Sequence, residues 1–421
     1  MAEIKPFRAW RYSPAFAHEM DELTSPLFDV VSEKQRQRLY QHPHNSIHIS
    51  SPQGENPAGQ AAKTLANWQE QKIILQDPLP AIYPYYQYFT LPGNPKQFCR
   101  KGFICYIKAH FWEEKIVFRH ENTMPGSVGD RLALLEATQL QSSPTHGLFA
   151  DDDFELEKYM DEAMLSPVYV SENYQGVKDV MGVIQDAKVI DLFLKKIQDK
   201  PVILADGHHR YESSLQYRSK KTAENPRHTG NEDYNFHLMY LTNMQANDIC
   251  ILPTHRLVSA IENFDKDLIV SKLEIYFQAQ KVDDFYAINE LICGKKWTFG
   301  LIFKEEGYKI TLKPEVWEKL YWQFPEVIKQ LDLTVLHYFV LEKCLGIPGK
   351  IQTTTKQLNF SRNLTECVAK VMNDEAQIAL ITQGVTLEEI QKVCTSGYTM
   401  PQKSTYFYPK AICGFLFGSI A

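Results

Sequence analysis

The sequence predicts an α/β (α+β) fold, and three observations carry that prediction. Short apolar or aromatic runs of strand length alternate with helix-periodic segments. Pro, Gly and Asn clusters punctuate the junctions between them. One apolar run, Pro201-Val-Ile-Leu-Ala205, passes through a glycine turn directly into an amphipathic helix. The chain has 421 residues, 44% of them hydrophobic and 12% aromatic, enough for sizeable cores and more than one packed unit.

Taken in order, Ser32-Glu-Lys-Gln35 has the form of a capping box and opens a short helix toward Tyr40; the alanine-rich stretch 58–71 is a second helix. Residues 81–89 and 102–107 are aromatic and branched, with the Leu91-Pro-Gly-Asn-Pro95 loop between them, so they are neighbouring strands. A strand at 115–119 leads through His120-Glu-Asn-Thr-Met-Pro125 to a helix beginning at Asp130-Arg-Leu, and 151–164 is an acidic helical run. After strand 201–205 the helix spans 211–218, followed by a surface loop over 220–233. Beyond Leu252-Pro-Thr-His-Arg256 the chain reads as strongly helical, with Trp317, Leu320, Tyr321, Phe324 and Val327 at helical spacing within 314–346. Strand 377–381, a helix capped by Thr386-x-x-Glu389 and the tail Met400–Lys410 close the chain. The corresponding division is 1–111 for an N-terminal mixed α/β unit, 112–270 for a central core and 271–421 for a C-terminal α+β unit.

A formal net charge of −6 lacks the basic footprint of a nucleic-acid-binding protein. The N-terminus carries no export signal and no apolar stretch spans a bilayer, so no membrane partner is expected. Eight cysteines stand singly without Cys-x-x-Cys spacing; they read as reduced thiols, which points to a cytoplasmic location and removes a thiolate zinc site. Oligomeric state is not encoded in any pattern found.

The chemistry concentrates at Ala205-Asp206-Gly207-His208-His209-Arg210. A strand running into a helix at this point presents backbone N–H groups and the positive end of the helix dipole, which favour an anion. Gly207 allows close approach, Arg210 offers a planar donor fork, and His208 and His209 add donors or metal ligands. Asp206 is placed to hold magnesium or orient a histidine. On pattern alone an ordinary N-cap with a solvated first turn explains these residues equally well. His120-Glu121 also follows an apolar strand, making Glu121 a candidate general base; its plain alternative is a carboxylate that complements a helix dipole. His255 and Arg256 extend the set of anion donors, and Lys403 and Lys410 lie in a donor-rich tail that is otherwise read as a solvated tyrosine-rich strand. There is no Walker spacing, Gly-x-Gly-x-x-Gly, Gly-x-Ser-x-Gly or His-Glu-x-x-His.

Ile203-Leu-Ala-Asp-Gly-His-His-Arg-Tyr-Glu212 resembles the signature of the ParB/sulfiredoxin-like superfamily, and with His120-Glu121 upstream it most resembles the free-serine kinase branch. Phe28-Asp29-Val30, Asn45, Asp130-Arg-Leu132, Ser143-Pro144, Pro253-Thr-His-Arg256 and Met400-Pro-Gln-Lys-Ser-Thr405 further resemble, over essentially the whole chain, a bacterial family defined as a domain of unknown function. Leu27-Phe28 departs from the Pro-Tyr that often precedes the aspartate there. The resemblance implies a ParB/sulfiredoxin-like core, ATP or ADP with magnesium, and a phosphotransferase interconverting serine, or a similar small hydroxy compound, and its phosphate ester. In that reading Gly207, His208, His209, Arg210, His255, Arg256 and Lys403 bind phosphates, Asp206 organises metal or histidine, and Glu121 takes the hydroxyl proton. Two alternatives stand beside it: a metal-dependent phosphohydrolase with Asp206, His208, His209 and His255 as ligands, and a nucleotide-gated binding protein of the partition type.

Overall fold

The computed structural model describes residues 2–91, 94–318 and 325–421. The chain divides into two compact units: Met1–Arg119 with Thr123–Cys250 and Pro409–Ala421, and His120–Asn122 with Ile251–Tyr408. Both are mixed α/β. The boundaries read from the sequence do not coincide with these units, because the first unit's sheet takes strands from both sides of residue 111.

That sheet contains β1 (Ile4–Lys5), β2 (Tyr83–Leu91), β3 (Asn94–Lys108), β4 (Val117–Phe118), β5 (Thr145–Phe149), β6 (Tyr169–Glu172), β7 (Lys178–Met181), β8 (Val202–Asp206) and β9 (Phe236–Asn243). Their order is β4-β8-β5-β9-β3-β2-β7-β6, with β1 paired to β3. Strand β8 runs parallel to β4 and antiparallel to β5, and β9 is parallel to β5. Side-chain alternation along β3 explains why the sheet is buried on both faces: Ile104 and Tyr106 join one apolar cluster, Phe103, Cys105 and Ile107 the other.

The helices of this unit include α1 (Glu33–Leu39), α2 (Ile47–Ser50), α3 (Pro57–Glu70), α4 (Pro125–Thr138), α5 (Glu157–Ala163), α6 (Ala187–Gln198) and α7 (His208–Glu224). Ser32 caps α1 by accepting the Gln35 N–H at 3.2 Å, as its sequence pattern requires. The acidic run contracts to α5, because Asp151, Asp153 and Glu155 instead gather around Lys196 on α6. Helix α7 continues through the segment read as a loop as far as Glu224, supported by Lys221–Glu224 and Lys220–Glu136 ion pairs at 2.9 and 2.7 Å.

The second unit is built on a six-stranded sheet: β10 (His255–Val258), β11 (Phe277–Val282), β12 (Thr298–Ile302), β13 (Gly307–Leu312), β14 (Leu358–Ser361) and β15 (Ile378–Ile381), in the order β11-β13-β12-β15-β10-β14. Alternation again splits β15, with Ile378 and Leu380 in one apolar cluster and Ala379 and Ile381 in another. Helices α8 (Lys266–Tyr276), α9 (Leu364–Met372) and α10 (Leu387–Ser396) belong to this unit, and Thr386 and Glu389 form the capping box of α10. The strongly helical reading of this half is corrected: β11 to β13 occupy much of it. Within 314–346 the described residues form the helices Pro314–Glu318, Glu326–Lys329, Asp332–Val335 and the π-helical Leu336–Cys344. Leu320, Tyr321 and Phe324 lie outside the described residues. No helix among the described residues is long and apolar enough to cross a membrane, and all eight cysteines are free thiols.

A buried polar chain crosses the first unit's sheet. Asp179 on β7 accepts from the Tyr85 hydroxyl and, at 2.7 Å, from Gln87 Nε2; Gln87 in turn meets Arg100, which also donates to the Pro409 carbonyl. Burial pushes the Asp179 carboxyl up to about 7, against the opposing effects of its two donors and Arg100. Its native pKa therefore exceeds the unfolded value, so the folded state holds the extra proton between roughly pH 4 and 7. Stability is expected to fall as pH rises through that window and then level off. Asp179→Asn should flatten the dependence in denaturant titrations at pH 4, 5.5 and 7; an unchanged slope would assign the effect to other groups.

Candidate functional site

Strand β8 ends in a register shift against β5 between Leu204 and Asp206, which brings Asp206 opposite His146. Gly207 then adopts φ 91°, ends the strand and becomes the N-cap of α7. A Cβ at this position would lie 2.6 Å from Thr145 Cγ2 and 2.9 Å from Arg210 Nη2, so the turn admits only glycine without adjustment. The first intrahelical bond is Tyr211 N–H to the Gly207 carbonyl at 2.9 Å.

Asp206 is held between two cations. Its Oδ2 pairs with Arg210 Nη2 at 2.8 Å, one helical turn on, and its Oδ1 pairs with Lys410 Nζ, 204 residues away. These side chains are 15%, 11% and 12% exposed for Asp206, Arg210 and Lys410. Burial alone would raise the Asp206 carboxyl, but Lys410 and Arg210 overcome it and hold the group well below the usual carboxylate range. Both cations thus stand beside the positive end of a 17-residue helix. Arg210 is further fixed by Nη1 donating to Ser143 Oγ at 3.0 Å and to the Pro144 carbonyl at 2.7 Å.

The histidines have distinct environments. His208 is buried; His209 Nε2 accepts the Met124 N–H at 3.0 Å, which ties α7 to the N-cap of α4 and assigns that nitrogen's lone pair. His146, beneath the turn, bonds Thr242 Oγ1 through Nε2 at 2.7 Å. Burial and Arg100 push its pKa well down, so this histidine is neutral.

The magnesium assignment at Asp206 does not fit this geometry, because both carboxylate oxygens already bind cations. No group of three or more His, Cys, Asp or Glu residues among the described residues is placed to hold a metal ion. An anionic phosphate, by contrast, suits a helix N-terminus flanked by Arg210 and Lys410.

The second unit contains its own polar cluster, and it gathers Glu121, Arg256 and Lys403. Glu121 Oε1 accepts the backbone N–H of Ser404 at 3.0 Å and of Thr405 at 3.4 Å. Next to it, His120 bonds Thr405 Oγ1 at 2.8 Å through Nε2, and its carbonyl accepts the Met400 N–H at 2.7 Å. Arg256 is fully buried; it donates to the carbonyls of Thr254 and Lys403 and contacts His337 Nε2 at 3.3 Å. Burial lowers its pKa to about 9, opposed by Glu121. His255 Nδ1 accepts the Thr382 N–H at 3.2 Å, and burial lowers its pKa to about 4. Lys403 has an exposed side chain and φ 57°, and its carbonyl is what meets Arg256. Within this unit Arg256 and His255 therefore brace the 400–405 segment and strand β15.

The sequence reading underweighted Lys410, whose partner is 204 residues away, and no local signal distinguishes it from a solvated lysine.

The motif matched over residues 4–334 is that of the family described as "Protein of unknown function (DUF1015)". The chain belongs to this family. No curated protein matches it. Among solved structures it is similar to a conserved hypothetical protein from Pyrococcus furiosus, at 13% identity and a TM-score of 0.36, covering 72% of this chain and 89% of that one. It is also similar to a free serine kinase in complex with AMP, at 12% identity, a TM-score of 0.35 and coverage of 72% and 86%. A third similarity is to C-terminally truncated SbnI from Staphylococcus aureus, at 11% identity, a TM-score of 0.34 and coverage of 74% and 85%.

Lys410→Met leaves the part-buried Asp206 with Arg210 as its remaining ion-pair partner. It should cost about 3 kcal/mol in denaturant unfolding, and Asp206→Asn in the same chain should restore part of that loss. A single-variant cost below about 0.5 kcal/mol would mean that the pair behaves as a solvated surface bridge.

Proposed function

We propose that the protein is a nucleotide-dependent phosphotransferase interconverting a small hydroxy compound, serine being the leading case, and its phosphate ester. The observation that carries this reading is the Asp206–Arg210–Lys410 arrangement at the start of α7: a rigid glycine turn that sets two cationic side chains beside a helix N-terminus. Such a turn suits the phosphates of ATP or ADP, and the sequence lacks the loops of the common alternatives.

In this reading the backbone at Gly207–His209 cradles phosphate oxygens. Asp206 is a positioning residue that aims Arg210 and Lys410, since its own oxygens are taken. His208 and His209 shape the first helical turn, with His209 anchoring it to Met124. Phosphoryl transfer needs mainly placement and charge stabilisation, and a preformed cationic turn supplies both. The sequence assigns removal of the hydroxyl proton to Glu121, whose Oε1 is steadied by the Ser404 and Thr405 N–H groups. Magnesium accompanies the nucleotide in solution, and no side chain is assigned to it. The phosphohydrolase reading is disfavoured by the engaged oxygens of Asp206 and the engaged Nε2 of His209.

Phosphorus NMR tests the proposal with magnesium, O-phosphoserine and ADP in one sample and serine and ATP in another. Transfer is expected in both directions. Glu121→Gln should slow it by about 100-fold or more with ADP binding retained, and Arg210→Ala should weaken ADP binding itself. Accumulation of inorganic phosphate alone would favour hydrolysis, and unchanged phosphorus resonances with ADP still bound would favour a nucleotide-sensing binding protein.

A further inference from the structure

Three polar side chains lie in register on adjacent strands of the first unit's sheet: Asp179 on β7 stands opposite Gln87 on β2, and Gln87 opposite Arg100 on β3. All three are buried. A buried polar row is costly unless each member is partnered, and here the partners lie in one short stretch of main chain. Arg100 donates to the Pro409 carbonyl and Gln87 Nε2 to the Lys410 carbonyl at 3.0 Å. The Tyr85 hydroxyl, two residues back along β2, accepts the Ile412 N–H at 3.3 Å.

Asp179 joins these contacts into one clamp. Its Oδ1 accepts from the Tyr85 hydroxyl and, at 2.7 Å, from Gln87 Nε2, so the two hydrogens of that amide nitrogen serve Asp179 and the Lys410 carbonyl. Gln87 Oε1 accepts from Arg100, which fixes the amide's orientation. The residue held in this way is the one whose ammonium pairs with Asp206. Loss of the Gln87 or Tyr85 contact therefore loosens the main chain from which Lys410 reaches the turn.

The titratable and charged groups that face Asp179 come from three strands: Tyr85 from β2, Arg100 from β3 and Tyr240 from β9, with Arg100 5.6 Å from the Tyr240 ring. On β6 the residue opposite is Ser171. Among the described residues no hydrogen-bond donor reaches Asp179 Oδ2. Burial accordingly outweighs the donors on Oδ1 and holds the carboxyl up at about 7, so its charge changes near neutral pH.

We propose that Asp179 is a positioning residue for the cationic turn: through Gln87 and Tyr85 it fixes the main chain that delivers Lys410 to Asp206, and its negative charge, when present, weakens the turn's hold on an anion. Ionisation adds a negative charge to a low-dielectric interior, where its effect carries farther than in water. Anion affinity should fall as pH rises through about 7. The positioning stands on geometry alone; the effect on anion affinity rests on the phosphate reading of the turn.

Two measurements on the full chain test the two parts. Lysine ammonium NMR reads the positioning without ligand, with the Lys410 resonance assigned by its absence in Lys410→Met. Tyr85→Phe, the milder change, and Gln87→Met should each move that resonance toward those of solvent-exposed lysines while circular dichroism stays native. A resonance unmoved in both folded variants would overturn the positioning. Calorimetry with ADP at pH 6 and pH 8.5 reads the charge in wild type and Asp179→Asn, which keeps an oxygen for Tyr85 and Gln87. Taking the ratio of the two proteins cancels the ionisation of ADP. The variant's affinity relative to wild type should rise by about threefold or more between the two pH values, whereas a merely structural role gives a constant ratio and would overturn the charge effect. Wild type that fails to bind ADP would remove the phosphate reading and the charge effect together, and the ammonium resonance would still decide the positioning.

Discussion

The first unit's chemistry depends on one part-buried carboxylate shared by two cations. Asp206 cannot sit at the end of a central strand without compensation, because taking an isolated charge out of water costs several kcal/mol. Arg210 compensates from one helical turn away and Lys410 from the far end of the chain. The arrangement that solves a folding problem therefore also sets two cationic side chains beside a helix N-terminus.

That requirement reaches outward. Lys410 arrives only because the 409–421 segment packs into the first unit, where Ala411, Phe415, Leu416 and Phe417 join an apolar cluster and Arg100 grips the Pro409 carbonyl. Arg210 is aimed by Ser143 and Pro144. The polar interior is thus a connected set rather than scattered pairs, and removal of one member should be felt by its neighbours.

The strand, the glycine turn and the start of α7 were legible because the apolar run, the φ demand at Gly207 and the amphipathic onset all fall within about ten residues. The length of α7 was not, since Lys220 and Lys221 are polar and their support is an ion pair from α4 together with a local one. The second unit was overread as helix because its strands are short. Polar residues such as Gln278 and Gln280 on edge strand β11 give no buried run to recognise, and Pro325 interrupts the helical spacing that follows. Among site residues, Asp206 and Arg210 were visible from local chemistry. Lys410 required long-range packing that no local pattern encodes.

Backbone amide NMR of isotopically labelled protein during ADP titration tests the central claim most directly, since it reads the 206–210 turn without depending on turnover. Saturable shifts centred on the amides of Gly207, His208, His209 and Arg210, weakened in Lys410→Met, are the predicted result. Saturable ADP binding with those four amides unmoved would contradict the assignment of the turn as the phosphate site.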